Sequence, residues 1–149
     1  MSTDHFFVEL AAVSHELALQ LVQAGIEAGA AAGLPVAVAV VDPAMALVAY
    51  GRADGTTPHS AETCRRKAQT AASTRRPTGW MEGDLALALP PASGNLLTNV
   101  LGGFPLVVGE RFLGGFGVAG GAPAVDANIA RTALAAVGLA EPGPARRAS

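Results

Sequence analysis

The chain is poor in cysteine, in aromatic side chains and in charge. Of its 149 residues, one is a cysteine, 5% are aromatic and 15% are charged. The single cysteine, Cys64, excludes a disulfide within the chain and fits a reducing compartment. The formal net charge of −2 gives no electrostatic reason to expect a nucleic acid or an anionic membrane as partner. We therefore expect neither of these partners.

Long apolar stretches are also missing. No stretch of about 18 residues is apolar enough to predict a membrane span. Residues 1–5 include Asp4, where a secretory signal would carry basic residues. These features predict a protein that stays in the cytoplasm.

Small apolar residues are abundant instead. Half of the residues are hydrophobic, mostly Ala, Val and Leu, and this composition is typical of a globular protein. The length predicts one domain, which we place at residues 14–139, after an N-terminal extension over 1–13 and before a flexible tail over 140–149. Low charge and high apolar content also predict an apolar face that joins subunits into a homo-oligomer, a dimer or larger.

Helix and strand signals follow one another clearly in the first third of the chain. Ser14 has the character of an N-cap and Gly33 that of a helix stop, so a helix is predicted over 14–32. The apolar run 36–41 predicts a strand covered on both faces. A short turn leads to a partner strand over 46–50, and so short a connection requires an antiparallel pair.

The rest of the chain predicts more helices and a hairpin. Gly109 and its polar neighbours lie between two apolar arms, a pattern typical of a β-hairpin. The element order α-β-β-α-(α)-β-β-β-α indicates an α+β fold, with a central antiparallel sheet of about five strands flanked by helices. The remaining predicted elements are helices over 59–74, 84–89 and 125–139, and strands over 95–101, 104–108 and 112–118.

A set of short motifs occurs in one order along nearly the whole domain. The motifs are Val40-Val41-Asp42, Arg52-x-Asp54-Gly55, Lys67-Ala68-x-Thr70-Ala71, Pro77-Thr78, Gly102-Gly103-x-Pro105, Gly114-x-x-Gly117-Val118-x-Gly120 and Asp126. This set resembles the GlcG/HbpS-like family, also called the haem-degrading or haem-binding domain family, which is related to the C-terminal domain of PduO-type proteins. The resemblance covers residues 14–139.

The resemblance implies an oligomeric α+β domain, and some members of the family bind haem. The first hypothesis is therefore a small-ligand-binding protein with haem as its candidate cofactor, held at an oligomer interface. The chain departs from the family pattern at Met45, where a turn glycine is usual, and at Ala119, where Ser is common. It also carries Thr74-Arg75-Arg76 in place of a more aromatic approach to Pro77.

The candidate catalytic residues are Lys67, His59 and Asp54. Asp54 and Lys67 could form an acid/base pair, or an ion pair that holds a loop onto a helix. His59 could be a general acid/base or a haem ligand, and His15 is a second candidate ligand. The alternative hypothesis is a cofactor-independent isomerase, cyclase or lyase acting on a small carbonyl or carboxylate metabolite. In it, Lys67 or His59 would move the proton.

Five of the six candidate ligand-binding residues, all but Gly103, belong to three segments expected to converge. These are the loop over 52–55, the helix face over 59–70 and the strand-to-helix passage over 114–126. Asp126 could equally cap its helix or face a ligand. No histidine pair has metal-ligand spacing, so no metal site is expected. The six candidate ligand-binding residues are Arg52, Thr70, Gly103, Gly117, Gly120 and Asp126.

Two further features have alternative interpretations. Cys64 falls on an apolar helix stripe, which favours a core position over a catalytic one. The basic residues 65–67 and 75–76 fit either a solvated face or a site for an anionic substrate.

Overall fold

The computed structural model describes residues 1–139, and they form an α+β fold with four helices and one antiparallel sheet. The predicted fold class is therefore confirmed. No helix within 1–139 is long and apolar enough to cross a membrane. The predicted tail over 140–149 lies outside the described residues. The elements are α1 (His15–Ala31), β1 (Ala37–Val41), β2 (Leu47–Arg52), α2 (Ser60–Thr74), α3 (Gly83–Ala92), β3 (Gly103–Val108), β4 (Arg111–Ala119) and α4 (Pro123–Ala136).

The sheet has the order β2-β1-β4-β3, and every neighbouring pair is antiparallel. All five residues of β1 are buried, as the continuous apolar run predicts. Helices α1 and α4 pack on one face of the sheet, and α2 packs on the other. Each sheet face thus has its own apolar core.

The prediction of a strand over 95–101 is wrong. This segment runs irregularly from α3 to β3. It is held by hydrogen bonds that involve side chains and not by hydrogen bonds to a neighbouring strand. The backbone N–H of Thr98 donates to Thr70 Oγ1 at 2.9 Å. The Asn99 side chain accepts from the Met81 N–H and donates to the Met81 carbonyl, each at 3.0 Å. The segment is therefore fixed by polar contacts with α2 and with the residues before α3.

Most predicted helix limits are close to the observed ones. Ser14 caps α1 by accepting the Leu17 N–H at 3.1 Å. Helix α4 begins two residues before the predicted 125, because Pro123 fits the first turn of a helix. Helix α3 continues through Pro90 and Pro91, past the predicted 84–89.

Helix α2 lies unusually close to β4 because glycines alternate along that strand. A Cβ atom at Gly117 would overlap the Cys64 carbonyl, and one at Gly115 would overlap the Ala68 carbonyl. These two contacts show that α2 runs antiparallel to β4. The start of α2 therefore lies at the end of β4 that carries Ala119.

Candidate functional site

Lys67, in the middle of α2, is almost completely buried, with 1% of its surface exposed. Its Nζ donates to Asp126 Oδ2 at 2.9 Å and to the Val118 carbonyl at 2.8 Å. Asp126 is also buried, and its Oδ1 accepts the Gly121 N–H at 2.9 Å. The pair therefore joins α2, the end of β4 and the first turn of α4.

The environment of this pair is shaped by glycine at position 102. Gly102 has φ +123°, and a Cβ there would be 2.9 Å from Lys67 Nζ and 2.7 Å from the Val118 carbonyl oxygen. Burial lowers the pKa of Lys67, while the hydrogen bond that Lys67 donates to Asp126 and the charge of that carboxylate act in the opposite direction. A lysine enclosed in this way has no route to a substrate, so the geometry favours a structural cross-link over proton transfer.

Asp54 does not reach Lys67, so the sequence hypothesis that pairs these two residues is wrong. Lys67 takes Asp126 as its carboxylate partner, and Asp54 is exposed in the loop that follows β2. That loop is closed by Thr56, whose backbone N–H and hydroxyl both donate to the Ala53 carbonyl. Asp54 therefore lies in a solvent-exposed loop and not beside the buried Lys67.

Thr70 and Thr78 bind segments of the chain itself. The buried hydroxyl of Thr70 donates to the Arg66 carbonyl at 2.7 Å and accepts the Thr98 N–H. Thr78 was not among the predicted site residues, yet it is buried and its hydroxyl accepts the Gly103 N–H at 2.9 Å. The Pro77-Thr78 motif was the signal that could have indicated it.

The three candidate glycines lie against backbone of the same chain. A Cβ at Gly103 would overlap the Lys67 carbonyl, and one at Gly117 would overlap the Cys64 carbonyl. At Gly120 a Cβ would be 2.6 Å from the Pro35 carbonyl oxygen. Close approach is needed at all three positions, and the backbone that approaches is that of α2 or of the residues before β1.

Arg52 lies on an uncovered part of the sheet. Leu47, Tyr50 and Arg52 pair with Val41, Ala39 and Ala37, whose side chains pack against α2. Directly paired residues share a sheet face, so these three β2 residues are on the α2 side as well. Helix α2 packs over β4, β1 and β3, and Leu47 and Tyr50 remain 47% and 42% exposed.

The flank of α2 beside β2 carries polar side chains. Gln69 marks this flank, because its Nε2 donates to the Met45 carbonyl in the turn between β1 and β2 at 3.3 Å. Arg66 donates to Gln69 Oε1 at 3.2 Å and lies 3.7 Å from Glu62. His59, exposed at the N-cap of α2, precedes Arg66 by two helical turns and so shares its face. We call Leu47, Tyr50, Arg52, His59 and Arg66 the β2 ledge.

The two candidate haem ligands lie at opposite ends of the sheet. The N–H of Val13 donates to the Leu113 carbonyl at 2.9 Å, which places His15 near the start of β4. His59 lies beyond the other end of β4, near Ala119, since α2 runs antiparallel to that strand. About 20 Å of extended strand separates Leu113 from Ala119. One chain cannot bring both histidines to one iron atom.

The structure places five of the predicted residues at one end of the sheet. Arg52, Asp54, His59, Gly120 and Asp126 lie at the end that also carries Ala119, and Lys67 and Thr70 are enclosed between α2 and its neighbours. Within residues 1–139, no group of three or more His, Cys, Asp or Glu side chains could hold a metal ion. Cys64 is buried, as predicted, and burial raises the pKa of its thiol to about 12.

Comparison with known proteins identifies the family. A sequence profile for the family described as "Haem degrading protein HbpS-like" matches residues 13–135. Protein GlcG of Escherichia coli (strain K12) is 35% identical over 111 residues, which are 71% of this chain and 80% of GlcG.

Solved structures agree with this match. The crystal structure of HbpS has a TM-score of 0.81 and 30% sequence identity, and the similarity covers 93% of this chain and 99% of that one. A crystal structure of a PduOC–haem complex also has a TM-score of 0.81, at 26% identity, covering 88% of this chain and 99% of that one. The motif order, the α+β fold and these similarities together show that the chain belongs to the HbpS-like family.

Proposed function

We propose that this chain binds haem. The observation that carries the proposal is its similarity, over 88% of the chain, to a protein solved as a haem complex. The family description, which names haem degradation, supports the same ligand class. Fold similarity alone does not determine function, so the proposal also depends on whether the exposed side chains suit haem.

The β2 ledge has the chemical groups that haem requires. Haem is a flat apolar ring whose iron commonly takes an imidazole ligand, and its edge carries two carboxylates. His59 would supply the imidazole, and the half-exposed Leu47 and Tyr50 would supply an apolar surface. Arg52 and Arg66 would pair with the carboxylates through charge-assisted hydrogen bonds. Bound haem would supply the iron for redox or dioxygen chemistry.

His59 is favoured over His15 by local charge. Helices α1 and α2 both have an acidic first turn, but Glu62 of α2 is balanced by Arg65 and Arg66, each within 3.7 Å, whereas α1 contains no lysine or arginine to balance Glu16. The unbalanced charge of Glu16 beside His15 would repel the haem carboxylates. The β2 ledge is shallow and open, so a second copy of the chain would cover the outer face of the ring at an oligomer interface.

The acid/base enzyme suggested by the sequence is not favoured. In that hypothesis Lys67 or His59 would move the proton, and Asp54 is the candidate acid/base partner of Lys67. Lys67 is instead enclosed with Asp126, and Asp54 is exposed on a loop, so of the two proton carriers only His59 is exposed.

Haemin titration, followed at the Soret band, tests the proposal. We expect a saturable shift, a loss of affinity of about tenfold or more in His59→Ala, and little change in the matched His15→Ala control. Arg52→Gln should weaken binding without removing the Soret shift, because it holds the carboxylates and not the iron.

Three outcomes would contradict different parts of the proposal. Absence of a saturable Soret shift would contradict haem binding itself. A shift that His59→Ala leaves unchanged would contradict the β2 ledge as the site, and a loss in His15→Ala would move the site to the start of α1.

A further inference from the structure

A second surface feature lies at the other edge of the sheet. Residues 76–80, between α2 and α3, line an open groove of about 410 Å³. Thr78 joins this segment to β3 through two hydrogen bonds with Gly103, each 2.9 Å long. Since β3 and β2 are opposite edges of the sheet, the groove is separate from the β2 ledge. The lining residues are Arg76, Pro77, Thr78, Gly79 and Trp80.

A buried hydrogen-bond donor without an acceptor and an exposed cation lie side by side along this groove. The Trp80 Nε1–H is buried and has no acceptor within the part of the chain that the structure describes. The exposed Arg76 guanidinium stacks on the Trp80 ring at 4.4 Å from its centroid, and it makes no ion pair with a carboxylate of residues 1–139. Buried polar groups of folded proteins are nearly always paired, so the unpaired indole N–H requires an explanation, and the guanidinium beside it is open to a ligand.

The two neighbouring arginines, Arg75 and Arg76, stack on different aromatic rings. Arg75 ends α2 in the left-handed conformation, with φ 55°, and its guanidinium stacks on Phe112 at 4.4 Å. The Arg76 guanidinium stacks on Trp80 instead.

We propose that the groove binds a small organic carboxylate with a flat apolar body. The planar guanidinium matches the two oxygens of a carboxylate, and a small movement of the Trp80 ring would bring the indole N–H, enclosed in this structure, to an oxygen beside it. The indole face and Pro77 provide apolar contact, as does Leu101, whose side chain lies against Gly79. Glu82, two residues after Trp80, is exposed and outside the lining, so it leaves the positive character of the groove intact.

The chain provides a direct reporter of this groove, since Trp80 is its single tryptophan. An amide-correlation NMR spectrum of the 15N-labelled protein contains one indole N–H signal. Titration with benzoate should shift that signal saturably and downfield, because the N–H gains an acceptor. Benzamide, of the same shape but neutral, should bind at least about tenfold more weakly, and inorganic phosphate should leave the signal unchanged.

Variants at the arginine separate the site from a general charge effect. Arg76→Gln should weaken benzoate binding by about tenfold or more, and Arg76→Lys, which keeps the charge and loses the planar fork, by less. Arg111→Gln changes an exposed arginine in the β3–β4 hairpin and should have no effect. Haemin affinity should be the same in Arg76→Gln as in the unchanged protein.

Four results would overturn the proposal, none of them depends on haem binding, and the first three concern benzoate. They are an indole signal that benzoate does not shift saturably, equal affinities for benzoate and benzamide, and a benzoate affinity that Arg76→Gln leaves unchanged. A saturable shift by phosphate alone would overturn the organic carboxylate in favour of an inorganic anion.

Discussion

Lys67 and Asp126 lie 59 positions apart in the sequence and meet in a buried ion pair of 2.9 Å between α2 and α4. Both side chains are at most 2% exposed, and each makes a second hydrogen bond to the backbone at the end of β4 or just after it. The pair therefore fixes α2 and α4, which lie on opposite faces of the sheet, to the same strand end.

Removing one member of this pair should strongly lower the free energy of unfolding. Lys67→Met leaves the Asp126 carboxylate buried without its cation, and we expect the free energy of unfolding to fall by about 3–5 kcal/mol. Urea denaturation measures this loss. Asp126→Asn should also destabilise the fold, and the double variant should cost clearly less than the two single variants added together, because the second change removes no further pair.

The exposed ion pair on α2 is the matched control for this comparison. Glu62→Gln breaks contacts to Arg65 and Arg66 at a side chain that is 59% exposed, and it should cost less than about 1 kcal/mol. Additive effects of the Lys67 and Asp126 variants would show that the two residues do not act as a pair.

The Cys64 thiol should make stability fall at high pH. Burial raises its pKa from 9.0 to about 12, and the Lys67 charge opposes that shift. Between these pH values the unfolded chain loses the thiol proton while the folded chain keeps it, so stability falls as pH rises, by up to about 4 kcal/mol. Urea denaturation of Cys64→Ala across this range should lack this decline.

The lowered pKa of Lys67 acts in the opposite direction. The unfolded lysine keeps its proton up to a higher pH than the folded one, so this contribution to stability rises with pH until the lysine's ordinary pKa is passed. Since Lys67 is present in both proteins, the difference between the unchanged chain and Cys64→Ala isolates the thiol. Equal pH profiles for the two would contradict the raised thiol pKa.

Gly117→Ala should destabilise the fold strongly, because the new Cβ meets the Cys64 carbonyl and must push α2 away from β4. Overpacking of this kind costs about 1–3 kcal/mol or more, measurable as a lower midpoint of thermal unfolding. Gly94→Ala is the control: that glycine has φ +67° and open space, so only backbone strain of about 1 kcal/mol is expected. Equal losses would contradict close packing as the reason for glycine at 117.

We expect the chain to assemble as at least a dimer. Apolar side chains remain uncovered on α3, with Leu85 at 45% and Leu87 at 77% exposure. Uncovered apolar side chains of this kind are typical of subunit contacts. Light scattering should therefore return a mass of at least twice 14.9 kDa, and a monomer across micromolar concentrations would contradict the expectation.

Local signals predicted the elements whose structure depends on local interactions. The Ser14 cap, the apolar run of β1 and the glycine turn between β3 and β4 were confirmed, since each depends on neighbouring residues or on simple alternation. The segment 95–101 was predicted wrongly, because its conformation is set by hydrogen bonds to Thr70 and Met81, which are distant in the sequence.

Motif order and short-range periodicity were enough to predict the family, the α+β class and the positions of most helices and strands. The pairing of Lys67 with Asp126 and not with Asp54 could be seen only in the folded structure, since both carboxylates are compatible with the sequence and packing selects one. The folded structure also showed that the glycines of β4 allow α2 to pack closely on that strand. Close approach between two backbones depends on how elements pack and not on either element alone.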